Sequence, residues 1–339
     1  MTAAADWQES LPDAVADAAR SARMPRHFEP MLATLSDTPF SDDEWIFERK
    51  LDGIRLLVFC DAGHVELLTR NGQPRNAHFP ELVESFASQP HRRFVLDGEV
   101  VAFDGKVTSF ARLQQRAGIG DPDAARASGV AVYFYIFDCP WLDGLDLRRV
   151  PLRERKQLLR SEFVFHDPLR YTAHRNASGE AYLDEARRKG WEGILAKQAD
   201  SPYRSGRSRR WLKLKCSQGQ ELVIGGFTDP QGSRSGFGAL LVGYYENDEL
   251  RYAGRVGTGF DDAELARLHR ALKRIERKTS PFIDPPGGRG VHWVTPERVA
   301  EFAFTEWTAD GRLRHPSYLG ERDDKDAQDV VREQPQSLA

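Results

Sequence analysis

The segment ERKLDGIR, residues 48–55, sets Lys50 at a strand end, followed by an Asp-Gly pair and then Arg55. Alone it reads as an ordinary turn, since Asp-Gly is a common turn pair. Four later segments change its weight. VLDGEVVAF places Asp97 and Glu99 two apart on a strand, so both point to one face. YIFDCPWLDG puts Phe137 at the end of an apolar strand, WEGILAK holds Glu192 and Lys197, and WLKLK holds Lys213 and Lys215, again two apart. Solvation does not explain charges that alternate inside apolar strands. Burying them is costly unless each meets a charged partner, a metal or a phosphate.

The elements that must position these residues are legible in outline. EWIFE and IRLLVFC flank the KLDG connection, and HVELLTR follows a DAGH turn, which predicts a hairpin. FVLDGEVVAF, AVYFYIFDC, GILAKQ and WLKLKC predict further strands, while PLRERKQLLR and SGEAYLDEARRKG predict helices, the second with a glycine stop. Beyond CSQGQ, residues 216–220, come short strands with Gly turns and one helix from Asp261 to about Lys278, a pattern that suits a small barrel. The length of 339 residues favours two domains. Three separated cysteines, Cys60, Cys139 and Cys216, suggest neither a zinc knuckle nor a disulfide framework and fit a reducing cytoplasm. MTAAADWQES lacks a basic start and an apolar core, so no secretory signal is expected, and no apolar run approaches a membrane span. The net charge of -3 argues against a generic polyanion binder, but its distribution matters more than its sum. From Lys197 to Lys215 seven basic residues stand against one acid, and Arg267 to Lys278 is also basic. The plain alternative for each stretch is a solvated face.

In this order, the five segments resemble the nucleotidyltransferase signature of ATP-dependent DNA ligases and mRNA capping enzymes. The resemblance is strongest to the ligase module of bacterial end-joining ligases of the ligase D type, and it runs from about Phe28 to Arg332. One K-x-D-G match is weak, whereas five ordered matches followed by RDDK at residues 322–325 are specific. The resemblance implies an α+β fold. A tail or short helix over residues 1–27 precedes a nucleotidyltransferase (adenylation) domain of antiparallel sheets with flanking helices, residues 28–217. An OB-fold β-barrel domain follows, residues 218–339.

The same resemblance assigns roles. Lys50 is the nucleophile that attacks the α-phosphate of ATP and carries AMP. A free lysine has a pKa of about 10.4, so the site must favour the neutral amine, and Lys213, Lys215 and a divalent metal would supply the positive field that does so. Glu99 and Glu192 bind Mg²⁺ or Mn²⁺ through hard oxygen donors. Asp97 joins them, with a structural carboxylate as its alternative. Phe137 stacks on adenine, with a plain core residue as its alternative. Glu48 accepts from the adenine amino group through its backbone or side chain, and Lys197 belongs to the same nucleotide set, as does Glu99. Arg55 and Arg70 hold the ribose and the end to be joined, the alternative for each being a surface arginine. Arg204, in SPYRSGRSRRW, faces the nucleotide or the nucleic acid. Arg322 and Lys325 reach the β and γ phosphates when the barrel closes, with residues 216–220 as hinge. Glu321 departs from the pattern, which usually has an apolar residue there.

The expected partner is nicked or broken double-stranded DNA, gripped through its phosphates without sequence choice. A Ku-type end-binding protein is implied by the resemblance only, as are a monomeric state and work in the bacterial cytoplasm. Two other readings use the same residues: an RNA ligase or capping-type nucleotidyltransferase, and a catalytically silent nucleic-acid-binding module.

Overall fold

The structure is a computed structural model that describes residues 11–216, 219–230 and 235–335. The chain divides into two compact units, the first closing at Cys216 and the second running to Gln334. Ser217 and Gln218, at the expected hinge, and residues 1–10 of the expected tail lie outside the described residues.

In the first unit the strands are β1 (Arg20–Ser21), β2 (Met31–Leu35), β3 (Trp45–Lys50), β4 (Ile54–Asp61), β5 (His64–Thr69), β6 (Arg93–Asp104), β7 (Val107–Thr108), β8 (Val132–Leu142), β9 (Leu145–Asp146), β10 (Leu169–Tyr171), β11 (His174–Asn176), β12 (Gly193–Gln198) and β13 (Gly206–Lys215). The helices are α1 (Asp13–Ala18), α2 (Pro80–Ala87), α3 (Phe110–Ala117), α4 (Pro122–Ala127), α5 (Leu152–Glu162) and α6 (Gly179–Arg188). They form two sheets. One runs β1-β9-β8-β6-β4-β5, with β10 on β8 and β7 on β6, and the other runs β11-β3-β12-β13-β2. The β4–β5 hairpin turns at Ala62 and Gly63, both at positive φ, as a tight two-residue turn requires.

Strand alternation sorts the apolar residues into three cores. Leu56, Val58, Leu96, Val100 and Phe134 pack beneath the helices that cover the outer face of the first sheet. Phe47, Ile194, Ala196, Leu212 and Leu214 pack against α6 on the outer face of the second. Leu57, Phe59, Val95 and Trp141 of the first sheet meet Ile46 and Trp211 of the second in between. Val15 of α1 is fully buried in the first core and β1 pairs with β9, so from residue 11 onward the expected tail is integral to the unit.

The second unit holds β14 (Gly219–Thr228), β15 (Leu240–Glu246), β16 (Glu249–Val256), α7 (Asp262–Arg274), β17 (Glu276–Arg277), β18 (Val291–Ala303), the short pair β19 (Glu306–Trp307) and β20 (Leu313–Arg314), and β21 (Ser317–Arg322). The main sheet runs β16-β15-β14-β18-β17 with β21 on β18, and Leu265, Leu268 and Leu272 of α7 enter its core. The helix stops at Arg274 rather than near Lys278, because Glu276 and Arg277 pair with β18. No helix among the described residues is long and apolar enough to cross a membrane.

One buried titratable group ties the first unit together. His91, 6% exposed, lies between Asp143 (Nδ1 to Oδ2, 2.6 Å) and Glu162 (Nε2 to Oε2, 3.2 Å). Burial alone would lower the imidazole pKa, but the two carboxylates outweigh it and raise it. A raised folded-state pKa means that the stabilisation is complete below the unfolded value of about 6.5 and fades as pH rises through the folded value. His91→Gln is therefore expected to cost about 2 kcal/mol on the acid side, a gap that narrows as the medium becomes alkaline. Urea unfolding of both proteins across that range checks this, and a gap independent of pH would contradict it.

Candidate active site

The site follows from the register of three strands. Lys50 of β3 stands opposite Gly193 of β12, which stands opposite Lys215 of β13. The next row is Glu48, Leu195 and Lys213, and the third is Ile46, Lys197 and Trp211. Residues directly opposite share a face, so Lys50, Glu48, Lys197, Lys213 and Lys215 all point from one side of the second sheet, toward the first. Gly193 is needed for this alignment, because a Cβ there would lie 2.2 Å from the Leu214 carbonyl oxygen. Lys50 Nζ donates to Glu192 Oε2 at 2.5 Å, with both side chains about one-fifth exposed.

The loop after Lys50 is fixed from both ends. Asp52 Oδ2 accepts from Phe110 N at the start of α3 (3.3 Å), and Asp52 N donates to Thr108 Oγ1 (3.3 Å). Gly53 passes so near β6 that a Cβ would lie 2.2 Å from Val100 O. The chain then enters β4, where Arg55 stands opposite Glu99 on the first sheet's inner face. Arg70 follows Thr69, which pairs with Leu56, and so lies abreast of Arg55 at the end of β5.

Asp97, expected as a metal ligand with a structural carboxylate as the alternative, sits in the structural arrangement here. It is fully buried, with both oxygens engaged by Arg55 (Nε to Oδ1, 2.9 Å; Nη2 to Oδ2, 2.5 Å), and Tyr203 Oη donates to Oδ2 at 2.6 Å. Burial opposes the Arg55 charge, but Asp97 outweighs it and holds the guanidinium pKa well above its ordinary value. A guanidinium so placed repels a second cation, so Asp97 positions Arg55, whose Nη1 also donates to Met31 O at 2.7 Å.

Glu48 and Lys197, both expected in the nucleotide set, are paired with each other. Glu48 is 1% exposed, with Oε1 2.5 Å from Lys156 Nζ and Oε2 2.6 Å from Lys197 Nζ. Burial would raise its pKa, but the two ammonium groups outweigh it and lower it. Its side chain is therefore committed, which leaves only its backbone for a base. Lys197 is fully buried beside Glu48, with Nζ 4.2 Å from the centre of the Phe137 ring and 4.0 Å from that of Trp211. It supports the aromatic floor and is not exposed to phosphate.

Phe137 sits within the eleven-residue β8 rather than at a strand end. The β6–β8 ladder slips there, since Gly98 pairs with Ile136 and Asp97 with Asp138, which leaves Phe137 between. Its ring faces Trp211 at 6.2 Å and Arg55 at 5.2 Å. Besides Glu48 Oε2 and Lys197 Nζ, which form an ion pair without hydrogen-bond geometry, the buried polar atoms near it that lack a hydrogen-bond partner among the described residues include Thr172 Oγ1, His174 Nδ1 and Trp211 Nε1. Thr172 N is bonded to Ile136 O, and His174 stands opposite Glu48. Burial, then Lys156, lowers the His174 pKa and keeps the imidazole neutral.

Among the described residues no three carboxylates, histidines or cysteines form a metal cage. Magnesium in nucleotide sites is commonly held by one or two carboxylates plus phosphates. The half-buried Glu99 and Glu192 suit that chemistry. Arg204 is exposed in the loop before β13.

In the second unit Arg322 is 8% exposed and paired with Asp324 (2.9 and 3.0 Å) and Glu301 (3.2 Å), so it braces the RDDK turn. Lys325 is nearer the surface, 3.3 Å from Glu221. The unusual Glu321 is accommodated by ion pairs with Arg267 (2.9 Å) and Arg298.

Lys156, Tyr203 and the buried Asp138–Arg155 pair (2.7 and 2.8 Å) had no place in the sequence reading. One signal was present. Leu152, Arg155, Lys156 and Leu159 recur at helical spacing, which puts both cations on the buried face of α5.

Comparison with known proteins identifies the family. The family model of the ATP dependent DNA ligase domain matches residues 30–215, and that of the ATP dependent DNA ligase C terminal region matches residues 233–325. The chain belongs to the ATP-dependent DNA ligases. The multifunctional non-homologous end joining protein LigD of Pseudomonas aeruginosa is 38% identical over 95% of this ligase and 40% of the relative. LigD of Mycolicibacterium smegmatis is 38% identical over 91% of this chain and 40% of its own. The ligase thus spans about two fifths of these curated relatives. A solved structure described as mycobacterial DNA ligase D complexed with ATP and MES aligns with a TM-score of 0.64 at 36% identity, covering 90% of this chain and 98% of that one.

Removing Lys156 from the ligase leaves a buried Glu48 oxygen unpaired. Lys156→Met is expected to lower stability by about 3–5 kcal/mol in chemical denaturation, and a loss below about 1 kcal/mol would contradict the pairing.

Proposed function

We propose that this chain seals breaks in double-stranded DNA through a lysyl-AMP on Lys50, in non-homologous end joining. The row Lys50–Gly193–Lys215, with Lys213 in the next row, carries the proposal. It sets one lysine among cations that disfavour its ammonium form and stabilise a phosphoryl transition state. Nζ attacks the α-phosphorus of ATP and releases its proton. The nitrogen–phosphorus bond forms as the bond to the bridging oxygen breaks, and pyrophosphate leaves. A 5′-phosphate of DNA then takes the AMP and frees Lys50, and a 3′-hydroxyl displaces AMP to close the strand.

The other residues take supporting roles in this reading. Phe137 stacks on adenine, and the open hydrogen-bonding capacity of Thr172, His174 and Trp211 beside it suits a polar base. Arg55, held by Asp97, and Arg70 contact the ribose and the DNA end. Glu99 and Glu192 would hold a divalent cation, which supplies charge neutralisation at the phosphates. Glu192 engaged in that way no longer pairs with Lys50, which favours the neutral amine. Lys325 serves the phosphates that leave as pyrophosphate, and Arg322 positions it. We read the second unit as an OB-type barrel. A Ku-type partner and a bacterial cytoplasmic setting follow from the end-joining reading, supported by the relatives' names alone.

Incubation with labelled ATP and Mg²⁺, followed by a chase with nicked DNA, tests this. Wild type should label and pass its AMP to the nick. Lys50→Arg should not label, because guanidinium stays protonated. Glu99→Ala and Glu192→Ala should each slow labelling by about 100-fold or more, as loss of a principal electrostatic contact does. Labelling of the arginine variant at the wild-type rate would overturn the role of Lys50. The double variant Arg322→Ala/Lys325→Ala should fail to label yet seal a nick whose 5′ end already bears AMP, and equal losses in both assays would remove that segment from the first step.

A further inference from the structure

Residues 20–28, RSARMPRHF, lie before the matched ligase domain begins at residue 30. They hold three arginines and a histidine and no acid. The segment is strapped to the first unit at several points. Arg20 and Ser21 pair with Asp146 and Leu145. Ala22 N donates to Gly144 O (2.8 Å), and Trp141 Nε1 donates to Ala22 O (3.1 Å). Phe28 is buried edge-on against Phe59 and Tyr203. His27 lies against Gly72, in the turn that follows Arg70, within about 4 Å of where a Cβ would stand. Between these anchors Arg23 and Arg26 are exposed, with no carboxylate partner among the described residues.

Beside the strap a concavity of about 630 Å³ opens between the β9 turn and the loop before β13, lined by Asp146, Arg148, Arg149, Tyr203, Arg204 and Ser205, with Pro202 at its edge. Arg148 is neutralised by Asp146 (2.7 and 3.0 Å), whereas Arg149 and Arg204 are exposed and carry no carboxylate partner among the described residues. Tyr203 forms the wall shared with the candidate active site, through its bond to Asp97. The basic surface therefore runs from the Arg70 turn along the strap to Arg149 and Arg204. An ordinary solvated face would balance its arginines with acids; here Asp146 is already paired with Arg148, and Glu29, exposed beside Gly206, stands against Arg23, Arg26, Arg149 and Arg204.

We propose that the strap and this concavity form a phosphodiester-binding surface, which grips the backbone of duplex DNA away from the reacting phosphate. Arginines tied to a rigid backbone fix the register of a duplex without reading its sequence. The inference rests on the ligase reading, and wild type that neither labels with ATP nor binds nicked DNA would sink that reading first.

The test compares wild type, the variant Arg23→Ala/Arg26→Ala/Arg149→Ala and its arginine-to-lysine counterpart, using the full chain. AMP attachment from ATP should be unchanged in the alanine variant, including its KM for ATP. Its Kd for nicked duplex should rise at least about tenfold near 0.1 M salt, with a plot of log affinity against log salt shallower by roughly 2–3 units. The lysine variant should keep the wild-type slope. Unchanged affinity and slope overturn the proposal, as does weaker binding at an unchanged slope. A raised KM for ATP overturns it in favour of free nucleotide. If the alanine variant fails to label at all, protection of wild type from trypsin at Arg23 and Arg26 by nicked duplex decides, and absence of protection overturns it.

Discussion

The cross-strand register of β3, β12 and β13 is the constraint on which the rest of the site depends. Side chains alternate along each strand, so a slip of one residue in β12 or β13 would carry Lys213 and Lys215 to the face packed on α6 and leave Lys50 alone. Two features resist such a slip. The outer residues Phe47, Ile194, Ala196, Leu212 and Leu214 form a continuous apolar core that would be exposed by it. At Gly193 the β12 backbone lies so close to Leu214 O that another residue would not fit in this register. The hydrophobic core thus specifies the geometry of the polar face behind it.

The polar face carries its own cost, which the structure meets by pairing. Buried ions are expensive to desolvate, and an isolated one would be intolerable. Glu48 with Lys156 and Lys197, Asp97 with Arg55 and Tyr203, and Asp138 with Arg155 each set the carboxylate against a cation. The fully buried members contrast with Lys50, Glu99 and Glu192, which are partly exposed. Apolar substitutes of like size would be easier to bury, but they would not orient Arg55 or hold the Phe137–Trp211 floor through Lys197. Positioning is thus the service these buried charges render.

Much of this was legible in the sequence, and what was not has a physical reason. Pairs spaced by two, Asp97 and Glu99 or Lys213 and Lys215, announced a strand face because the strand period is local. The DAGH turn between β4 and β5 was readable for the same reason. Which carboxylate met which cation was not readable, because the partners are distant in sequence: Glu48 meets Lys156, and Asp97 meets Tyr203. Asp97 and Glu99 look alike in the sequence, yet one is sealed beneath Arg55 and the other is half-buried. Phe137 appeared to close a strand because Asp138 and Cys139 interrupt its apolar run. The strand continues because Asp138 is neutralised by Arg155, and the slip in the ladder takes up the extra residue. The docking of residues 11–28 was also hidden, since Val15 and Phe28 find their cores only in three dimensions.

The proposed chemistry needs Lys50 as the reacting lysine, on a strand face that Lys213 and Lys215 share. Mass-spectrometric mapping of the AMP-bearing peptide, after incubation with ATP and a divalent metal, discriminates among them directly. The account predicts AMP on Lys50 alone, in the peptide that contains ERKLDGIR. AMP on Lys213 or Lys215, or spread among the three, would contradict it.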